Sequence, residues 1–346
     1  MKIAIHHRKG SYSDYWIDYC QKNSIPFKIV NCYDSDIIDQ LFDCDGLMWH
    51  FHQAVPSDYL MAKQLLFALE VSGKQVFPDF KNSWHFDDKL GQKYLFEAIG
   101  APLIPAYVFY DKRKALEWAD ETTFPKVFKL RGGASSLNVI LIRNRIEAKK
   151  VIKKAFRGGF SKFPSYLSLK ERWRRYRLGM IGLRGVFKGI VRLFYITDFE
   201  WVAGNEKGYV YFQEFIPNCT YDIRVEYICG NAMAMKRDVR KNDFRASGSG
   251  SFDYSPEEIP REALELTHKI VDRLNLQTAA IDFLMHEGKP VIAEISYAFG
   301  IDKDAFDLGY WDSTLTFRRE TFNPFGWMVE SFIQEIKKKE MDEILK

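Results

Sequence analysis

The sequence predicts an α/β fold at the N-terminus that passes into α+β architecture, with three units along 346 residues. Three observations carry this. Apolar strand runs alternate with single helical runs through the first part of the chain, and strands separated by one helix pair in parallel. After Pro78 the alternation gives way to strand–turn–strand patterns, which pair antiparallel. The composition, 47% hydrophobic with 16% aromatic, supplies a large core and excludes wholesale disorder.

In chain order, Lys2–His6 is a short apolar strand, and Tyr12–Asn23 has helical spacing through Tyr15, Trp16, Tyr19 and Cys20. Phe27–Val30 is a second strand, Ile37–Phe42 a short helix and Gly46–Phe51 a third strand. Ser57–Ser72 is a helix opened by a serine cap, and Gln75–Phe77 is a fourth strand. Asp87–Ile99 is a helix stopped by Gly100, after which Pro102 and Pro105 favour extended chain. Phe124–Leu130, Arg131–Asn138 and Val139–Arg143 read as strand, small-residue loop and strand, and Ile146–Phe156 is helical. Tyr209–Ile216, Asp222–Ile228 and Asn231–Arg237 form a meander with a tight turn at Cys229-Gly230-Asn231. Ser255–Leu274 contains a helix, Thr278–His286 and Lys289–Ser296 form a hairpin around Glu287-Gly288, and Phe325–Leu345 is a closing helix. The expected divisions are 1–84, a parallel-sheet domain; 85–208, an α+β unit with a basic insert at about 157–200; and 209–346, a second α+β unit.

Net charge is +4, too mild to mark a nucleic-acid binder, but it is unevenly placed. Ten basic residues from Arg157 to Arg192 face only Glu171, so that segment carries +9 and the remainder −5. The apolar start stops at His6-His7-Arg8-Lys9, so no secretory leader is expected, and no apolar run is long enough for a membrane span. Five cysteines without a CxxC pair suit a reduced, cytoplasmic chain.

Three features carry chemistry. Lys89, in Asp88-Lys89-Leu90, and Lys129, at the end of an apolar strand, supply point charges, and Lys129 is followed shortly by Gly132-Gly133-Ala134-Ser135-Ser136. Small residues let backbone N–H groups approach phosphate oxygens, although such loops also serve as plain hairpins. Tyr211–Pro217 is a strand running into irregular chain, whose backbone offers the donor and acceptor an adenine edge requires; a plain core strand reads the same. Asp282 and Glu294 sit in apolar hairpin strands, where unpaired carboxylates are costly, and Glu294 shares a strand face with Ser296. Two carboxylates with a hydroxyl suit Mg²⁺, which completes its shell with phosphate and water; salt bridges to Lys or Arg are the alternative.

In this order the stretches resemble the ATP-grasp superfamily, which includes D-alanine–D-alanine ligase, glutathione synthetase and the ribosomal-protein glutamate ligases. The resemblance runs from about Met1 to Ala298, carried by Asp88-Lys89-Leu90, Phe124–Asn138, Gln213–Pro217, Asp222-Ile223-Arg224-Val225, Asp243-Phe244-Arg245 and the Asp282 and Glu294 hairpin. It implies a pre-ATP-grasp N-terminal domain followed by two ATP-grasp subdomains. It also implies ATP and Mg²⁺ (or Mn²⁺) as cofactors. Lys89, Lys129, Gly132, Gly133, Ser135 and Ser136 would hold the phosphates, and Gln213, Glu214, Phe215 and Ile216 the adenine. Arg224, Lys236 and Arg245, with Arg237, would be the catalytic cations. Asp282, Glu294 and Ser296 would carry the metal. Where many members have Glu-x-Asn this chain has Glu294-Ile295-Ser296, a weaker second ligand, and Asn218 stands where an acid usually holds the ribose. The implied reaction activates a carboxylate as an acyl phosphate for attack by an amine or similar nucleophile. A nucleotide binder without turnover and a phosphotransferase are the other two readings.

Two features stand outside the resemblance. His6, His7, His50 and His52 cluster at two strand ends, where structural, acceptor-binding and metal roles are all open. In the insert, Leu169, Trp173, Tyr176, Met180, Leu183, Phe187, Ile190 and Phe194 have near-helical spacing between arginines, interrupted by Gly179, Gly182, Gly185 and Gly189. This suits either a solvated lid on the core or a surface for an anionic membrane or phosphorylated substrate, with nucleic acid not favoured. Arg240–Phe252, polar and arginine-bearing, fits a loop that orders over phosphate.

Overall fold

In the computed structural model of the chain, the described residues are 1–133, 138–162, 164–177, 179, 181–193, 195, 197–239 and 251–345. The first unit is a parallel sheet of β1 (Ile3–His6), β2 (Phe27–Val30), β3 (Gly46–Met48) and β4 (Gln75–Phe77) in the order β2-β1-β3-β4. Each of β2, β3 and β4 is reached through helical chain, as parallel pairing requires. Helix Pro56–Val71 opens on Pro56, and Val55 precedes it with no side-chain cap. The expected Ser57 cap is therefore incorrect: proline supplies the first turn, where its missing N–H costs nothing.

The second unit holds an antiparallel sheet of β5 (Ala106–Phe109), β6 (Lys126–Lys129) and β7 (Ile140–Ile142) with a later strand. Helix Lys89–Ala98 begins two residues later than expected, capped by Asp88, whose Oδ1 accepts from the Gly91 N–H at 2.9 Å. Lys112–Glu121 is a helix the sequence reading does not contain; its buried face consists of Ala115 and Ala119, too small to mark an apolar stripe. Short strands β8 (Phe160–Ser161) and β9 (Asn205–Glu206) pair across the base of the insert. Between them lie helices Ser165–Arg177, Leu183–Val191 and Asp198–Ala203.

β10 (Val210–Glu214) returns to the middle of the β5–β7 sheet, in the order β5-β10-β6-β7. The last sheet runs β15-β14-β11-β12, with β11 (Tyr221–Ile228), β12 (Asn231–Asp238), β13 (Phe252–Asp253) on β12, β14 (Thr278–His286) and β15 (Lys289–Ser296). Helix Arg261–Leu274 packs on this sheet through Ala263, Leu264, Ile270 and Val271. Helix Pro324–Ile344 does not stay with it. Phe325, Met328, Val329, Phe332 and Ile336 enter the core of the N-terminal sheet beside Tyr12, Trp16 and Cys20.

Candidate active site

A cavity of about 750 Å³ lies where the three units meet. Arg8, Gly10, His50 and His52 line it from beyond the carboxyl ends of β1 and β3, where parallel sheets present their ligand-facing residues. Lys89, Lys129, Gly133 and Gln213–Ile216 line it from the second unit, and Arg224, Asp282, Glu294 and Ser296 from the last sheet. Side chains separated by some two hundred residues in sequence thus face one space.

Sheet register explains the last group. Arg224 pairs with Asp282, and Asp282 with Glu294, so all three project from one face. Between Asp282 and Phe283 the β14–β15 ladder slips by one residue. Ile292, beyond the slip, donates its N–H to Pro102 O at 2.8 Å and accepts from the Ile104 N–H at 3.2 Å, tying the edge strand to the second unit. Arg224 clasps Asp282 in two hydrogen bonds of 2.7 and 2.9 Å, and Arg237 reaches the same carboxylate at 3.0 Å while clasping Asp222. Burial opposes the charge on Asp282, but the two guanidiniums outweigh it and hold the carboxyl below its usual range. Glu226, on the same face, feels the same two guanidiniums, but for it burial outweighs them. It is fully buried, one carboxyl oxygen lacks a hydrogen-bond partner among the described residues, and burial pushes its pKa up to about 8.

The two lysines meet at the cavity floor. Lys89 donates to Glu294 at 2.9 Å and to Gly133 O at 3.3 Å. Burial works against its charge, yet Glu294 and Asp87 outweigh it and raise its pKa. Lys129 has no carboxylate within ion-pair distance among the described residues, and burial together with the Lys89 charge lowers its pKa to about 8. The Gly132-Gly133 backbone is held down by Asp87, which accepts from the Gly133 N–H at 2.7 Å. A Cβ on Gly132 would lie 2.5 Å from Lys162 Nζ and 2.8 Å from Asp87 and would have to push those side-chain ends aside, while Gly133 adopts a φ of +120°, backbone that favours glycine. Asp87, Lys162 and Glu206 were not read from the sequence as parts of this loop's support. Lys162, counted there with the basic insert, is instead buried 3.3 Å from Glu206 and 3.8 Å from Asp87.

Other expected residues sit differently. The Glu214 carboxylate is bound by the buried Lys126 at 2.7 and 2.9 Å and by the Tyr107 hydroxyl, which leaves its backbone for the cavity. Gln213 Nε2 is buried with no acceptor among the described residues. Lys236 is not among the cavity residues, a correction to its expected place: the strand pleat turns it to the opposite face, where it pairs with Glu258 and lies over the Tyr221 ring. Ser296 lines the cavity, but its hydroxyl donates to Ala298 O at 2.6 Å and accepts from the Ala298 N–H. Among the described residues no three His, Cys, Asp or Glu side chains form a metal cage. The histidines are committed locally: His50 stacks on Tyr12 at 3.7 Å and accepts the Tyr12 N–H, His6 accepts the Cys32 N–H, and His7 pairs with Asp14. Burial and Arg8 hold His50 neutral, at about 3. Ser135, Ser136 and Arg245, with most of Arg240–Phe252, lie outside the described residues.

Neither the family models nor the curated proteins contain a match to this chain. Solved structures do match along nearly its whole length. D-alanine–D-alanine ligase from Bacillus anthracis is 14% identical, with 98% of this chain and 99% of that one covered at a TM-score of 0.57; it has also been solved in complex with ATP. N5-carboxyaminoimidazole ribonucleotide synthetase from Thermotoga maritima is 14% identical over 96% of this chain and 75% of that one, at 0.59. A RimK domain ATP-grasp protein from Sphaerobacter thermophilus is 12% identical over 96% and 100%, at 0.56. The agreement from end to end, with the sheets arranged around one central cavity, gives this chain the fold of the ATP-grasp ligases.

Proposed function

We propose that the protein is an ATP- and Mg²⁺-dependent ligase that activates a carboxylate for attack by an amine or similar nucleophile. The observation that carries this reading is the convergence of Lys89, Lys129, Gly133, Asp282 and Glu294 on one cavity, with Lys89 already 2.9 Å from Glu294. Val127, Val139, Ile216 and Leu284 supply apolar walls for a planar base, and the unpartnered Gln213 amide lies beside them. Asp282 and Glu294 would hold Mg²⁺, which would neutralise phosphate charge; an ion that keeps waters and phosphate oxygens does not require a cage of protein ligands. The γ-phosphoryl group passes from ATP to a carboxylate oxygen, leaving ADP. The nucleophile then attacks the acyl carbon, loses its proton, and inorganic phosphate departs. Lysines and arginines stabilise the transferring charge, and no protein nucleophile is required.

A nucleotide-binding protein without turnover is the second reading. It is favoured by the engaged Ser296 hydroxyl and by the two arginines already on Asp282. Calorimetric titration of ATP with and without Mg²⁺ tests the shared premise: metal-dependent binding near micromolar, about −8 kcal/mol, is expected, with loss in Lys129→Ala. Candidate carboxylates with hydroxylamine then separate the readings. Hydroxamate formed in step with ADP supports the ligase, ADP without hydroxamate supports phosphotransfer to a hydroxyl, and binding without ADP supports the inactive protein.

A further inference from the structure

Two helices of the insert expose a face that nothing in the described structure covers. On Leu183–Val191, at about 100° per residue, Leu183, Phe187, Ile190 and Val191 fall in one arc; they are 63, 66, 42 and 42% exposed. Arg184 and Lys188, continued by Arg192 at the helix end, occupy the adjoining arc. Val186 and Gly189 fill a third arc, buried, with Gly189 against Leu169 and Arg172 of the preceding helix. That helix, Ser165–Arg177, presents Tyr166, Lys170, Trp173 and Arg177 along one exposed stripe, spaced as successive turns require. Among the described residues, Lys170, Arg177, Arg184, Lys188 and Arg192 have no carboxylate within ion-pair distance.

We propose that this helical hairpin seats the protein on an anionic lipid bilayer, with the Leu183, Phe187 and Ile190 arc entering the headgroup boundary. The basic row beside it would meet lipid phosphates, and Trp173 and Tyr166 would occupy the wet edge that amphipathic rings prefer. A nine-residue helix is too short to span, and no described helix is long and apolar enough to cross a membrane. Nucleic acid would use the arginines and aromatic rings but leave Leu183, Ile190 and Val191 wet, since aliphatic side chains do not stack on bases. A second copy would bring one unpaired basic row against another. The proposal is independent of the ligase reading, because no residue of the arc lines the central cavity.

The test is co-sedimentation of the full chain with vesicles of phosphatidylglycerol and phosphatidylcholine, against vesicles of phosphatidylcholine alone. Partitioning is expected to fall more than about tenfold without the anionic lipid, since each basic residue contributes roughly fivefold, and to fall steeply at about 1 M salt, where the Debye length is roughly 3 Å. Arg184→Glu with Lys188→Glu should abolish the anionic preference, and Leu183→Ser with Phe187→Ser should abolish binding at low salt. Circular dichroism and thermal melts confirm that both variants fold. Absence of binding, equal binding to neutral vesicles, or binding indifferent to both pairs of substitutions overturns the proposal. So does retention on a single-stranded RNA homopolymer at the salt where vesicles are ignored.

Discussion

Two ionisable groups carry pH dependence at the level of single residues, Lys129 on the cavity wall and the buried Glu226 beyond its lining. Lys129 has its pKa lowered to about 8 by burial and by Lys89, so the folded chain holds fewer protons than the unfolded one from about that pH up to the ordinary lysine value. Its contribution to stability therefore rises with pH through that window. A bound polyphosphate would reverse the shift and draw a proton in. Nucleotide titrations at pH 8 in buffers of different ionisation enthalpy should show uptake of about half a proton, falling to about a tenth at pH 7. A slope that does not change with pH, or that survives in Lys129→Ala, would assign the uptake elsewhere. Glu226 acts in the opposite sense. Its folded pKa of about 8 lies above the unfolded value, so the folded state holds the extra proton and its stabilising contribution is complete only at low pH, being lost as pH rises toward 8. Glu226→Gln should flatten that decline by about 3 kcal/mol between pH 5 and pH 8, measured by denaturant unfolding at each pH. An unchanged slope would place the titrating group at another position.

Single elements were legible where their signals are local. The β11–β12 and β14–β15 hairpins follow the sequence reading because each turn needs two residues of positive φ, met by Cys229 and Gly230 at 48° and 101° and by Glu287 and Gly288 at 51° and 77°. The lysine strand was legible as an apolar run ending on Lys129, whereas most of the small-residue loop after Gly133 lies outside the described residues. The roles of the charges along β11 and β12 were not legible, because whether Lys236 or Arg237 reaches the Asp222 and Asp282 carboxylates depends on the pleat and on the β11–β14 register, set some fifty residues away. The insert is the element whose removal should matter least to the fold. Its ends are already joined outside it: β8 pairs with β9, and Ser161 Oγ donates to Glu200 Oε1 at 3.2 Å. Replacing residues 164–196 by a short Gly/Ser linker should leave the melting temperature within a few degrees and ATP affinity within about threefold, since loop length changes closure entropy only slowly. Vesicle binding should vanish in the same protein. A collapse of the melt would instead make the insert part of the core.

The whole molecule depends on contacts that join distant parts of the chain around the cavity. The Tyr12 hydroxyl donates to Phe299 O at 2.7 Å and accepts from the Phe299 N–H at 2.6 Å, and Phe299 itself lines the cavity. Behind this contact, helix Pro324–Ile344 completes the N-terminal core, with Phe332 packed so closely over Gly46 that a Cβ there would lie 2.6 Å from its ring. The apolar spacing of that helix was legible, but its partner was not, since nothing local distinguishes a helix that covers its own sheet from one that crosses to another. The N-terminal sheet therefore cannot reach its full stability without the last residues of the chain. Phe332→Ala, which empties a ring-sized space in a buried site, should cost about 3–5 kcal/mol in denaturant unfolding. If the three units share one cooperative transition, the loss appears in the midpoint of a single transition followed by both fluorescence and circular dichroism. If the N-terminal core melts by itself, an early transition separates, and saturating ATP should draw the two together, because the proposed nucleotide cavity has walls from all three units. A midpoint shift below about 1 kcal/mol would show that the helix is dispensable to that core and that the cavity wall at Phe299 is held by the Tyr12 contact alone.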